Sequence, residues 1–175
     1  MKVPKRWIVL SAAPLALVIA LGATAMSKQE VRWESFVGNI RTGAAGTVGS
    51  GTGAVLAAGA PWVVTPDGGA RVDLASGELS FQIHGLVLAD TNSVGTPGNN
   101  PEVFGTLVCD TDGSAGGGNS VLVPTPNVPL SAQGDAQFRG SLGSLPAVCS
   151  NEPDIAFLVR SVAGPWFAAA KVRTP

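Results

Sequence analysis

The stretch GARVDLASGELSFQIH, residues 69 to 84, alternates apolar and polar residues on both sides of Ser76-Gly77. A two-residue period is that of a half-buried strand, and Ser-Gly between two such runs reads as a hairpin turn. A two-residue turn sets Leu74 opposite Leu79 and Val72 opposite Phe81, with Asp73 meeting Ser80 and Arg71 meeting Gln82 on the other face. A slip of one residue would mix the two sets, so the pattern specifies an antiparallel pair with one buried face. His84, the sole histidine of the chain, shares the polar face with Glu78, Ser80 and Gln82 and is expected at a solvated face or rim. Gly85 then interrupts the alternation, as a bulge or bend does, ahead of Leu86-Val87-Leu88.

The same logic extends along the chain. In NVPLSAQGDAQFRGSL, residues 127 to 142, a three-residue Gln133-Gly134-Asp135 loop predicts a second hairpin, with Leu130 across from Phe138 and Gln137, Arg139 and Ser141 turned outward. Prolines at 124, 126 and 129 cannot donate to a ladder, so this strand starts late or lies at an edge. Further strands are expected near 33–38, 53–57, 61–65, 102–109, 119–123, 155–160 and 166–172. The runs VFGTLVC and IAFLVR are apolar on both faces, which suits central strands between two layers. AVLAAGA, residues 54–60, is helical by composition but too short to stand alone, and it ends at Pro61. Glycine accounts for 23 of 175 residues, well above its usual ~7% share, and fills the gaps between apolar runs. The expected fold is all-β, an antiparallel sandwich or flattened barrel of about eight to ten strands.

The N-terminus carries Lys2, Lys5 and Arg6, then the apolar run WIVLSAAPLALVIALGATA ending in Ala23-Thr24-Ala25. A basic start, an apolar middle and small residues at the end are the layout of a secretory signal, cleaved here after Ala25. An uncleaved anchor is the rival reading, since the run approaches the ~20 residues that cross a bilayer. The division is then a signal at 1–25, a polar lead-in at 26–32 and one β-domain at 33–175, placed outside the cytoplasm in the envelope or the medium. Beyond residue 25, eight basic residues face twelve acids, too few to track a phosphate backbone, so nucleic acid is excluded as a partner. Membrane contact is expected only through the N-terminal segment, if it is retained.

Cys109 and Cys149 are the only cysteines. In an exported chain an even number predicts a disulfide, here tying the exit of one central strand to the approach of another. Their wide separation does not suit a redox pair.

The chemistries that the sequence offers are few. Asp110 and Asp112 in DTDGSAGGGN have a spacing that could share a hard cation. The helix-loop-helix calcium pattern fails at Ala115 and Val121, which leaves a looser calcium site as the only cofactor expectation. One histidine and two bonded cysteines do not make a familiar zinc set. Serine hydrolysis would rest on Ser93 with His84 as base, but TNSVG lacks the first glycine of G-x-S-x-G. Twelve acids allow a carboxylate pair for glycoside cleavage without singling one out. The glycine-rich TGAAGTVGSGTGA, residues 42–54, has no following Lys-Ser or Lys-Thr for a phosphate loop. The long turn ADTNSVGTPGNNPE, residues 89–102, is where binding groups often sit. Trp33, Trp62 and Trp166 are expected to be buried rather than to serve as sugar platforms.

SGELSFQIHGL followed by VFGTLV resembles the exported CHRD-type β-domains, in which a glycine turn leads into an alternating strand ending in Gly-Leu. It is similar also to exported bacterial β-proteins of comparable length. The resemblance spans about residues 69–109 and implies an extracytoplasmic β-domain without established catalysis. After Gly-Leu this chain has Ala89-Asp90-Thr91-Asn92 in place of that family's histidine-containing stretch, so no site residue carries over. The leading expectation is an exported, non-catalytic binding or structural module for an envelope or extracellular ligand. The alternatives are a hydrolase using carboxylates or Ser93 and His84, and a calcium-stabilised module.

Overall fold

The computed structural model describes residues 29–40, 47–48, 54–115, 117–151 and 154–174. The signal segment, the lead-in through residue 28 and most of the glycine-rich stretch 42–54 lie outside the described residues. The strands in chain order are Glu30–Gly38 (β1), Thr47–Val48 (β2), Val55–Leu56 (β3), Trp62–Val63 (β4), Gly69–Asp73 (β5), Glu78–Ile83 (β6) and Val87–Leu88 (β7). They continue with Glu102–Cys109 (β8), Val121–Pro124 (β9), Val128–Pro129 (β10) and Ala136–Ser141 (β11). The short helix Ala147–Asn151 (α1) precedes Ile155–Ser161 (β12) and Trp166–Thr174 (β13).

Nine strands form one antiparallel sheet in the order β10-β8-β12-β13-β1-β5-β6-β11, with β9 also paired to β8. Two small two-stranded sheets, β2-β3 and β4-β7, complete the fold. The strands at the two ends of the long sheet, β10 and β11, are separated in the chain only by residues 130–135, so the sheet curls into a half-barrel. The all-β, antiparallel fold read from the sequence is thus the observed one.

Two pairings differ from the sequence reading. The first hairpin forms, but Arg71 pairs with Ser80 and Val72 with Leu79, two residues away from the expected register. The cause is the turn. The Asp73 carboxylate accepts the Ala75 and Ser76 N–H groups at 3.0 and 3.4 Å, and Gly77, at φ +73°, donates its N–H to the Asp73 carbonyl at 2.8 Å. These bonds hold a four-residue loop with a left-handed glycine at its end. Because the shift is even, every side chain keeps its face.

The second hairpin does not form. β11 pairs with β6 over six residues, Ala136–Ile83 to Ser141–Glu78, while β10 pairs with β8 at the other end of the sheet. Prolines at 124, 126 and 129 deprive the β10 side of donors, whereas β6 offers β11 a full ladder. Leu130 is buried and bonded through its N–H to the Pro101 carbonyl at 2.8 Å. Gln137, Arg139 and Ser141 are exposed, as the alternation required.

β8 and β12 are buried on both faces, as their apolar runs indicated. One face joins the main core, where Phe157 lies 5.5 Å from Phe81 and 5.8 Å from Trp33 by ring centroid. Gly105 on β8 makes room for that cluster, since a Cβ there would come within 2.5 Å of the Phe157 ring. The opposite face packs Val108 and Leu158 under Val55 of β3. Cys109 and Cys149 form the expected disulfide, with Cα atoms 5.0 Å apart and both residues fully buried. It ties the end of β8 to α1, just ahead of β12.

Candidate functional site

The outward faces of β1, β5, β6 and β11 are polar because the opposite face of each builds the core. The observed register places their side chains in rows across the strands. Arg32 pairs with Arg71, Arg71 with Ser80 and Ser80 with Arg139, giving one row of three arginines and a serine. On one side of it runs a second row, in which Gly69 pairs with Gln82 and Gln82 with Gln137, with Glu34 next to Gly69 on β1. On the other side lie the acids, Glu30 paired with Asp73 and Glu78 with Ser141.

Between the arginine row and the amide row lies a trough of about 760 Å3. Its walls are Arg32, Arg71, Ser80 and Arg139 against Glu34, Gln82 and Gln137. Trp33, Ala70 and Phe81 point into the core, so what they present to the trough is backbone. Gly69 has no side chain to block the floor, and a Cβ there would come within 2.7 Å of the Trp33 carbonyl oxygen. Four strands at ~4.8 Å spacing make the trough roughly 14 Å long across the sheet. A second hollow of about 370 Å3 adjoins it on the acidic side, lined by Glu30, Arg71, Asp73, Glu78 and Arg139 among others.

Charge in the trough is unevenly compensated. Arg32 forms an ion pair with Glu30. Arg71 donates from Nε to the Ser80 hydroxyl at 2.9 Å. Neither Arg71 nor Arg139 has a carboxylate within ion-pair distance among the described residues. Arg32 and Arg71 face each other directly, an arrangement of like charges that is unfavourable on its own.

No protein-family model, curated protein or solved structure matches the chain.

The residues singled out from the sequence are scattered. His84, with 30% of its side chain exposed, sits at the rim as expected, but it has a partner that the sequence did not reveal. Its Nδ1 lies 3.3 Å from the Asp135 carboxylate, which also accepts the Gly85 N–H at 3.1 Å. Ser93 bonds within its own loop, its N–H to the Thr91 hydroxyl and its carbonyl from the Thr96 hydroxyl. No hydrogen bond joins Ser93 to His84 among the described residues. The 89–100 loop closes on itself through Leu88 N–H to the Thr96 carbonyl and Gly95 N–H to the Leu88 carbonyl.

Asp110 and Asp112 share one turn. Asp110 is buried and accepts the Ala115 N–H at 3.2 Å, while exposed Asp112 accepts the Ser114 N–H at 2.9 Å. The bonds from Ser114 hold the Asp112 carboxyl below its ordinary pKa. No cluster of three or more His, Cys, Asp or Glu side chains suited to a metal occurs among the described residues. Trp33 and Trp62 are buried, Trp62 stacking on Phe167 at 3.9 Å, and Trp166 is half-buried. Among the described residues no helix is long and apolar enough to cross a membrane.

Arg71, Ser80, Gln82, Gln137 and Arg139 were legible as outward-facing but not as neighbours, whereas Arg32, read as part of a polar lead-in, lies in β1. The two-residue register of the sequence reading puts Arg71 against Gln82 rather than Ser80, and it leaves β11 away from β6.

Proposed function

We propose that the chain is an exported, non-catalytic β-domain that binds an envelope or extracellular ligand in the trough across β1, β5, β6 and β11. One observation carries this reading. A long concavity crosses four strands of the sheet, lined by guanidinium, amide and hydroxyl groups and by the Glu34 carboxylate, groups suited to holding a polar ligand by hydrogen bonds. The disulfide supports the compartment, because such bonds persist where surroundings are oxidising. The resemblance to CHRD-type domains at residues 69–109 is in keeping with it.

Thermal unfolding with glycans, cell-wall fragments and peptides tests the reading, run in parallel on a trough-filling variant, Gln82→Trp. A ligand at about 100 times its Kd adds roughly 2.7 kcal/mol, several degrees for a domain of this size. The shift is expected in the wild type and lost in the variant. An equal shift in both would place binding elsewhere, and turnover abolished by His84→Ala in a folded protein would replace the reading with catalysis.

A further inference from the structure

Deepening that reading, and resting on it, we propose that the trough takes a carboxylated glycan, a segment of uronic-acid-bearing polysaccharide, held by Arg71 and Arg139. The guanidinium fork matches a carboxylate with two parallel bonds. Arg71 gives Nε to Ser80, and among the described residues its terminal nitrogens have no carboxylate partner. The acids fix which side the anion approaches from. Glu30, Asp73 and Glu78 border the arginine row on its far side, and Glu34 closes the β1 end of the trough. The favourable ground for negative charge is therefore the β6–β11 half, over Ser80, Gln82 and Gln137.

Hydrogen bonding favours a glycan over an acidic peptide. Arg71 and Arg139 stand on strands two places apart, with β6 between them, so their backbones are separated by roughly 10 Å and two carboxylates along one ligand can be held together. Ser80, Gln82 and Gln137 each both donate and accept, which suits sugar hydroxyls. β1, β5 and β6 are paired on both sides, and only the outer edge of β11, where the sheet ends, is open to an added peptide strand; the trough itself lies on the face of the sheet, where no ladder is on offer. The described tryptophans are buried or half-buried, so recognition here runs through charge rather than through stacking on a flat ring.

The test is calorimetric titration of the purified protein with oligogalacturonate, a neutral oligogalactan of equal length, and poly-glutamate. The variants are Arg71→Gln, Arg139→Gln and, as a charge-matched control outside the trough, Lys171→Gln. Oligogalacturonate is expected to bind and to weaken with salt. Each arginine variant should lose about tenfold or more in affinity, with Lys171→Gln near wild type. Equal binding of the neutral glycan, or of poly-glutamate with the same dependence on the arginines, overturns the ligand class and leaves the trough as a binding site. Oligogalacturonate binding that the arginine variants leave unchanged overturns the placement. If no arm binds, and no ligand of the wider panel distinguishes Gln82→Trp, both this inference and the function it rests on fall.

Discussion

Gly134→Ala tests how the half-barrel is closed. Gly134 lies in the turn joining the strands at the two ends of the sheet, at φ +83°. Its carbonyl accepts the Leu86 N–H at 2.8 Å. A Cβ added there would stand 2.4 Å from both the nitrogen and the oxygen of Leu86. Neither contact is with a flexible side-chain end, so the turn and the segment after β6 have to part. Left-handed strain on an alanine costs about 1–2 kcal/mol, and the bond to Leu86 contributes roughly 1 kcal/mol. Some packing of fully buried Leu86 is lost as well. The total is about 3 kcal/mol, a fall in Tm of roughly 6–12 °C for a domain of this size. Gly95→Ala is the matched control, with φ +79° and nothing within 4 Å of the added Cβ. It should cost only the strain, about 1 kcal/mol. Denaturant and thermal unfolding of both variants measure the difference. Equal losses would mean that the close approach of the turn to Leu86 carries no energy.

Three further perturbations probe the disulfide, a buried hydroxyl and the acidic turn after β8. Replacing Cys109 and Cys149 together by alanine removes a cross-link of separation 40, worth about 4 kcal/mol by chain entropy, and should lower Tm by roughly 10 °C; an unchanged Tm would deny the bond its role. Thr106 is fully buried and its hydroxyl has no partner among the described residues, so Thr106→Val should raise stability by about 1 kcal/mol in denaturant unfolding, and a loss would show that the hydroxyl is satisfied. The bonds from Ser114 hold the folded Asp112 carboxyl below its ordinary pKa, so its contribution is present above the unfolded pKa and is lost as pH falls through the folded one. Melting curves from pH 6 downward should therefore show wild type losing its lead over Asp112→Asn in acid, and parallel curves would contradict the assignment.

How much of this was legible in the sequence depends on how local the cause is. β8 and β12 could be read almost residue by residue, because an apolar run on both faces has few other uses. The presence and facing of the β5-β6 hairpin were legible for the same reason. Its register was not, because the Asp73 carboxylate competes for the turn N–H groups and lengthens the loop. The partner of β11 was not either. Local turn chemistry at Gln133–Asp135 suggested β10, whereas the choice is made by β6, some fifty residues away, and by prolines that disable the nearer strand. The trough inherits that blindness, since Arg32, Arg71 and Arg139 come from three separated segments and meet only through the sheet order. Asp135 as the partner of His84 arises from the same closure of the sheet and has no signature near residue 84.

If ligand lies across the outer face of β1, β5, β6 and β11, an amide-resolved NMR titration with oligogalacturonate will show it. Perturbations are expected to concentrate at residues 32–34, 69–71, 80–82 and 137–139, strongest toward β6 and β11. Perturbations centred instead on the 89–100 loop or the Asp110–Ser114 turn, with the four-strand face silent, would place the ligand elsewhere.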